Sequence, residues 1–301
     1  MRPLLLLLPL FPLAFVLSPA VAAEPVPVVA TTSVLQDLVR NIGGDKIAVK
    51  TLVGPDGDAH TYEPSPSDAQ AISSARLVVI NGLGLEGWLT RLLESAKFQG
   101  TRVTATEGIT PLTMQEAEGS RVKTVTDPHA WQSLANGRIY VANIARGLAA
   151  ADPANAVLYQ HNADNYSDRL AALDARIRAE LSEVPEAKRR VITTHDAFQY
   201  YGKAYGITFI APIGLTTEEG EPSAGDVAKL ERQIKQEKLH ALFLENISNS
   251  RLIDQLAHDT GAVVGPPLFS DALSKPNEPA PTYIQMFEYN TATLKAGMLK
   301  N

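Results

Sequence analysis

Apolar residues along this chain fall into short runs separated by helical stripes, and the two kinds of segment alternate. Residues 26–31, Val-Pro-Val-Val-Ala-Thr, are an apolar run that predicts a strand. Val34, Leu35, Leu38, Val39 and Ile42 then share one helical face, with Ser33 and Gln36 placed for a capping box and Gly43-Gly44 to end the helix. The same reading predicts strands over 47–53, 77–80 and 101–105, and helices over 66–74, 85–97 and 135–150. Residues 54–64 read as a loop and 107–128 as an irregular polar stretch. After residue 185 the alternation resumes, with strands over 190–194, 207–213, 241–244 and 262–265. Helices are predicted over 196–205, 227–238, 250–260 and 282–299, and a charged loop with Gly and Pro over 216–225.

Between the two halves lies the longest uninterrupted stripe. Tyr166, Leu170, Leu173, Ile177, Leu181 and Val184 recur at steps of 4, 3, 4, 4 and 3. Asp152 suits an N-cap and Pro153 the first helical position, and neither Gly nor Pro occurs again before Pro185. About 32 residues at about 1.5 Å each make a rod of roughly 48 Å. One long surface helix on a single domain would fit this stripe. Strand–helix alternation on both sides fits better with a rigid spine joining two lobes. The expected organisation is therefore α/β, with two Rossmann-like lobes, each with a parallel sheet, over 24–151 and 186–301, and the linking helix over 152–185. A spine without Gly or Pro is a poor hinge, so the lobes are expected to move little. Ligands of such sheets sit beyond the carboxyl ends of the strands.

Residues 1–23 alter the picture at the start. Arg2 precedes an apolar run, and small residues follow at Ala20, Ala22 and Ala23, as in a cleaved secretory signal peptide. A membrane anchor is the rival reading, but Pro9, Pro12 and Pro19 interrupt the run. The sequence contains no Cys, which excludes a lipid-bearing cysteine, disulfides and thiolate ligands. Any metal must be held by nitrogen and oxygen. Net charge is −6, and loss of Arg2 with the signal makes the exported chain more acidic still, so nucleic acid is not an expected partner.

His60, His129, His195, Glu245 and Asp271 all fall in loops after or beside predicted strands. Without thiols, imidazole and carboxylate are the donors for a divalent metal, and three His with one Asp suit tetrahedral zinc. His161, on the spine off its stripe, and His240 and His258 read as structural or solvated. Gly82-Leu83-Gly84-Leu85-Glu86-Gly87 matches the G-x-G-x-x-G dinucleotide pattern. It follows the third strand rather than the first, so a tight turn with close strand–helix packing is the preferred reading. His-Glu-x-x-His, Gly-x-Ser-x-Gly and the P-loop pattern do not occur. A zinc hydrolase would need an open coordination position.

Several motifs together resemble the periplasmic zinc- and manganese-binding proteins of ABC importers, across essentially the whole exported chain. They are Asp58-Ala59-His60-Thr61-Tyr62-Glu63-Pro64, Asn81-Gly82-Leu83-Gly84-Leu85-Glu86-Gly87-Trp88 and Asp127-Pro128-His129-Ala130-Trp131. The others are Thr194-His195-Asp196-Ala197-Phe198, Glu221-Pro222-Ser223, and Glu245-Asn246-Ile247-Ser248 with Asp271-Ala272-Leu273-Ser274. The resemblance implies two lobes with metal in the cleft, and His60, His129, His195 and Asp271 as ligands. Glu245 would stand behind a ligand or be an alternative one. Zinc-type members carry His at the third position and manganese-type members usually Glu, so His195 implies a zinc-type member. The His-rich stretch many zinc members carry is lacking at 113–126, which speaks against an accessory zinc-gathering role there.

The implied function is a non-enzymatic periplasmic receptor that captures Zn2+ and delivers it to an ABC permease. A periplasmic metallochaperone is a candidate further partner, and a monomer is the expected state. Manganese or iron cargo, a zinc-dependent hydrolase and an adhesin-like surface protein are the alternatives. Three imidazoles must be neutral to bind, so affinity is expected to fall below about pH 6.

Overall fold

The structure is a computed structural model that describes residues 24–118, 121–211, 224–237, 239, 241–247 and 251–301. In the first lobe, β1 (Val26–Thr32) leads into α1 (Ser33–Gly43), β2 (Ile47–Val53), α2 (Pro66–Ser74), β3 (Leu77–Ile80), α3 (Leu89–Ser95) and β4 (Thr101–Thr104). The four strands are parallel, in the order β2-β1-β3-β4. Side chains alternate across this sheet, and both faces are buried. Val28, Ala30, Leu77 and Val79 face the main core, whereas Val29, Val78 and Ile80 pack with Ile72, Leu89 and Leu92.

An antiparallel hairpin follows, β5 (Thr113–Glu118) with β6 (Arg121–Thr126), in the stretch expected to be irregular. Its apolar residues, Met114 and Ala117 in one strand and Val122 and Val125 in the other, are three apart rather than two, so the sequence lacks the alternation of a strand. Next come α4 (Leu134–Ala151) and α5 (Ala156–Ser182), the spine. The spine is an α-helix of 27 residues, about 40 Å long rather than 48. Its first predicted turn, Pro153–Asn155, is instead a 3-10 turn. Asp152 closes this turn through its carbonyl, which accepts from Asn155 N at 3.2 Å, rather than through a side-chain N-cap bond. Its Oδ2 accepts from Asn155 Nδ2 and Tyr159 Oη, each at 2.7 Å. Tyr166, Leu170, Leu173, Ile177 and Leu181 are all buried, so the stripe faces the core.

The second lobe contains β7 (Arg190–Ile192), α6 (Gln199–Tyr205), β8 (Thr208–Ile210), α7 (Ala224–Glu237), β9 (Ala241–Leu242), α8 (Arg251–Thr260), β10 (Val263–Val264) and α9 (Tyr283–Met298). Its parallel sheet runs β10-β9-β7-β8. Val191, Ala241 and Phe243 join the main core with the spine and α9, while Ile192 and Leu242 pack with Ile234, Leu239 and Leu256. Among the described residues no helix is long and apolar enough to cross a membrane.

Two local expectations change, and a third falls mostly outside the described residues. α1 is capped by Thr32, whose Oγ1 accepts from Leu35 N at 3.3 Å, and Ser33 Oγ instead accepts from Leu273 N at 2.9 Å. The helix expected from residue 85 begins at Leu89. Residues before it turn around the buried Glu86 carboxylate, which accepts from Thr31 Oγ1 (2.6 Å), Asn81 N (2.7 Å) and Gly82 N (3.1 Å). The expected charged loop over 216–225 lies outside the described residues up to 223, and α7 begins at Ala224.

In each sheet the chain order reverses between the first and third strands of the lobe, β1/β3 and β7/β9. Crevices at such switch points are where α/β sheets hold ligands. In the second lobe this crevice receives His195 and Glu245, just past β7 and β9. In the first it receives Thr31, Asn81 and Glu86, which bond to one another.

Candidate metal centre

Four side chains converge between the lobes. His60 lies in the loop after β2, His129 after β6, His195 after β7 and Asp271 in the loop beyond β10. One ligand atom from each lies within 4.8 Å of all the others. His60 Nε2 is 3.2 Å from His129 Nε2 and 3.3 Å from Asp271 Oδ2. His195 Nε2 is 3.4 Å from Asp271 Oδ2, and His129 Nε2 is 3.7 Å from Asp271 Oδ1. Bonds of about 2.0–2.1 Å around tetrahedral zinc give ligand–ligand edges of about 3.3–3.4 Å. Three of these four separations lie close to that edge, so the group is gathered at the scale of a metal site.

Local sequence explains how each ring is held. Asp58 Oδ1 accepts from His60 N at 2.8 Å and Asp58 Oδ2 from Thr61 Oγ1 at 2.9 Å, fixing the loop by an Asx turn. The same Asp-x-His spacing recurs at Asp127 and His129. There Asp127 Oδ1 accepts from His129 N at 2.9 Å and also meets the ring at Nδ1, 2.7 Å away. That contact leaves Nε2 facing the centre. Reading the sequence for ligands missed Asp127 as the support of this ring, although the repeated spacing was a signal for it.

Glu245 does for His195 what Asp127 does for His129. Glu245 Oε1 accepts from His195 N (2.9 Å) and Thr194 Oγ1 (2.8 Å). Its Oε2 is 2.5 Å from His195 Nδ1, a buried ion pair on the side of the ring away from the centre. Glu245 is thus behind His195 and outside the group of four. Asp271 is carried by a braced loop. Trp131 Nε1 and Gln132 Nε2 both donate to Ser270 O, at 2.9 and 2.6 Å, in buried surroundings. Both Asp271 oxygens and His195 Nε2 are buried and have no hydrogen-bond partner. Buried, unsatisfied donor atoms of this kind suit a bound cation.

Charge is shared tightly here. Burial works against a charged His195, but the Glu245 and Asp271 carboxylates prevail and its pKa lies well above the ordinary value. Burial likewise opposes a charged His129, and Asp271 and Asp127 raise it all the same. Burial would raise Asp271, yet His195 and His129 hold it well below the usual carboxylate range. Glu245, also penalised by burial, is lowered by His195.

The remaining histidines lie elsewhere. His161 is exposed on α5 beside Asn165, His258 is exposed on α8, and His240 is outside the described residues, as is Glu221-Pro222-Ser223. The Gly-rich turn has positive φ at Gly82 (86°) and Gly84 (91°). Its amides at Asn81 and Gly82 are taken by Glu86, so an internal carboxylate stands where the dinucleotide reading would put a phosphate.

Comparison with known proteins adds lineage to this geometry. The family described as zinc-uptake complex component A, periplasmic, matches residues 28–297. A manganese ABC transporter substrate-binding lipoprotein of Streptococcus anginosus is 33% identical over 289 residues, covering 93% of this chain and 92% of that protein. The iron-binding protein YfeA of Yersinia pestis is 35% identical over 282 residues, covering 93% and 88%. Among solved structures, the periplasmic zinc-binding protein TroA from Treponema pallidum superposes with a TM-score of 0.83 at 29% identity, covering 92% of this chain and 99% of that one.

Proposed function

We propose a function from one premise: the chain belongs to the periplasmic zinc-uptake complex component A family. It is therefore a metal-binding periplasmic solute-binding component of an ABC importer, not an enzyme, and its partner is a membrane permease. The cargo we assign is Zn2+, held by His60, His129, His195 and Asp271 between the lobes over 24–151 and 186–301. Zinc takes three imidazole nitrogens and one carboxylate oxygen in a tetrahedron, and four protein donors close the position a hydrolytic water would need.

The observation that carries the zinc reading is His195 itself. It brings an imidazole to a position where carboxylate would suit a harder metal, and Glu245 orients that ring toward the centre. Manganese or iron is the second reading, favoured by the names of the Streptococcus and Yersinia relatives. Export by a cleaved signal over 1–23, without a lipid on cysteine, completes the proposal, since the sequence contains no Cys.

Metal analysis of protein purified from its own periplasm, with no metal added, decides between the readings. One zinc per chain is the expected result, and one manganese or iron per chain would overturn the zinc assignment. Glu245 offers a finer check. Groups that orient a ligand from behind typically contribute about 10–100-fold to metal affinity. Glu245→Ala should lower zinc affinity by that amount in a chelator competition titration, with zinc still binding at one per chain. A loss matching that of His195→Ala would instead make Glu245 a ligand.

A further inference from the structure

The loop that carries His60 has an anchor on the opposite lobe. Gly57 N donates to Gly54 O at 3.2 Å, closing a tight turn with Pro55 and Asp56 at its centre. Asp56 has φ of 55°. Pro followed by a residue with positive φ marks a type II turn, where Gly or Asn is the unstrained choice. An aspartate there carries backbone strain that glycine would relieve.

What the aspartate supplies is a carboxylate aimed across the cleft. Its Oδ1 accepts from Asn246 Nδ2 at 3.1 Å, and its own N–H donates to Leu273 O at 3.0 Å. Lys275 Nζ lies 3.4 Å from Oδ2 but is well exposed. Asn246 meanwhile grips the loop of Asp271 on both sides of that residue. Its Nδ2 also donates to Ala272 O (3.2 Å), and its Oδ1 accepts from Ser270 N (3.4 Å). One asparagine thus joins the loop of His60 to the loop of Asp271.

His60 is the donor with the weakest enclosure. Its side chain is 13% exposed, against 0–4% for His129, His195 and Asp271. Just before His60 the loop is held within its own lobe by Trp88 Nε1 donating to Ala59 O (2.9 Å), and beyond His60 by Tyr62 Oη donating to Asp68 Oδ2 (2.8 Å). Asp56 ties the start of the loop to the opposite lobe, through Asn246 Nδ2 and Leu273 O. The spine has neither Gly nor Pro between residues 156 and 182, so the easiest route out for a bound ion is a local opening of this loop rather than a swing of the lobes.

We propose that Asp56 and Asn246 form a latch across the mouth of the metal site and set how slowly bound metal leaves. The proposal rests on the zinc reading above, and the latch residues act by positioning His60 without touching the ion.

Stopped-flow mixing of the zinc-loaded protein with excess chromophoric chelator measures the dissociation rate. A hydrogen bond to a charged group corresponds to about tenfold or more. Asp56→Gly and Asn246→Ala should each speed zinc loss by about that factor, with association unchanged. The double variant should be no faster than the faster single one, because both remove the same contact. Asp56→Asn keeps an acceptor and tolerates positive φ, so it should retain most of the slow rate. Lys275→Ala, which removes an exposed pair, should stay within a few-fold of the parent. Rates for Asp56→Gly and Asn246→Ala within about twofold of the parent, below what one such bond is worth, would overturn the latch. So would independent, multiplying effects in the double variant. If Asp56→Gly fails to fold, Asn246→Ala against Asp56→Asn decides the matter. Failure of the parent itself to bind one zinc would refute the zinc reading, a result separate from either rate.

Discussion

Replacing His195 with alanine is expected to lower zinc affinity by more than about 100-fold, beyond the upper range for removing a group that only orients a ligand. The substitution deletes one of four converging donors and leaves Glu245 buried without its cation. Breaking a buried pair in this way typically costs about 3–5 kcal/mol, so the metal-free variant should also melt lower. His195→Glu should act differently. It offers zinc a harder and potentially bidentate donor, so zinc binding weakens and the zinc-to-manganese affinity ratio narrows. It also sets a third carboxylate beside Glu245 and Asp271, which makes the variant more dependent on a bound cation. His161→Ala, on the exposed side of the spine, should change neither affinity. Competitive titration of each purified variant with both metals gives the answer. Parent-like zinc affinity in His195→Ala would remove His195 from the ligand set and leave Glu245 as the next donor.

The four converging residues were legible in the sequence as candidates because each is an imidazole or carboxylate at a loop in an alternating α/β pattern. The spine was legible through its stripe from Tyr166 to Leu181, since burial on one side leaves a clear helical period. The hairpin over 113–126 was not, because its apolar residues stand three apart in each strand instead of alternating. Helix and strand ends near the site were misplaced for a common reason. Thr193, Thr194 and Glu86 leave regular structure to make side-chain bonds, and such tertiary demands do not show in local propensity. Asp127 and Asn246 were passed over as parts of motifs, and the partnership of Asp56 with Asn246 left no local signal, since the two are 190 residues apart.

Zinc affinity should rise steeply with pH, and from a higher starting point than ordinary histidines would give. The unperturbed imidazole titrates near pH 6.5, whereas His129 and His195 are raised in the metal-free protein. Their charged forms stabilise the empty fold fully below about pH 6.5, and that contribution is lost as pH rises through the raised values. Asp271 and Glu245 are lowered, so their contribution is present above about pH 4 and is lost only as pH falls through their folded values. Zinc must displace the imidazolium protons. Where both rings are protonated, affinity should fall by about 100-fold per pH unit, and the fall should begin above pH 6.5 rather than near 6. At about 1,000 times the dissociation constant, zinc should add about 4 kcal/mol, near 10 °C in melting temperature for a chain of this size. Calorimetric scans with and without zinc at pH 8 and pH 5.5 test both statements. An affinity and melting shift equal at the two values would exclude histidines from the site.

The grip of Trp131 and Gln132 on the Ser270 carbonyl bears on how this protein could be recombined with its relatives. A crossover placed in the spine looks natural from the chain's division into halves. It would nonetheless take the two donors from one parent and their shared acceptor loop from the other, with His129 two residues before Trp131 and Asp271 just after Ser270. The inherited unit of the site is therefore a pair of loops from opposite halves, and a chimera that respects it must move both together.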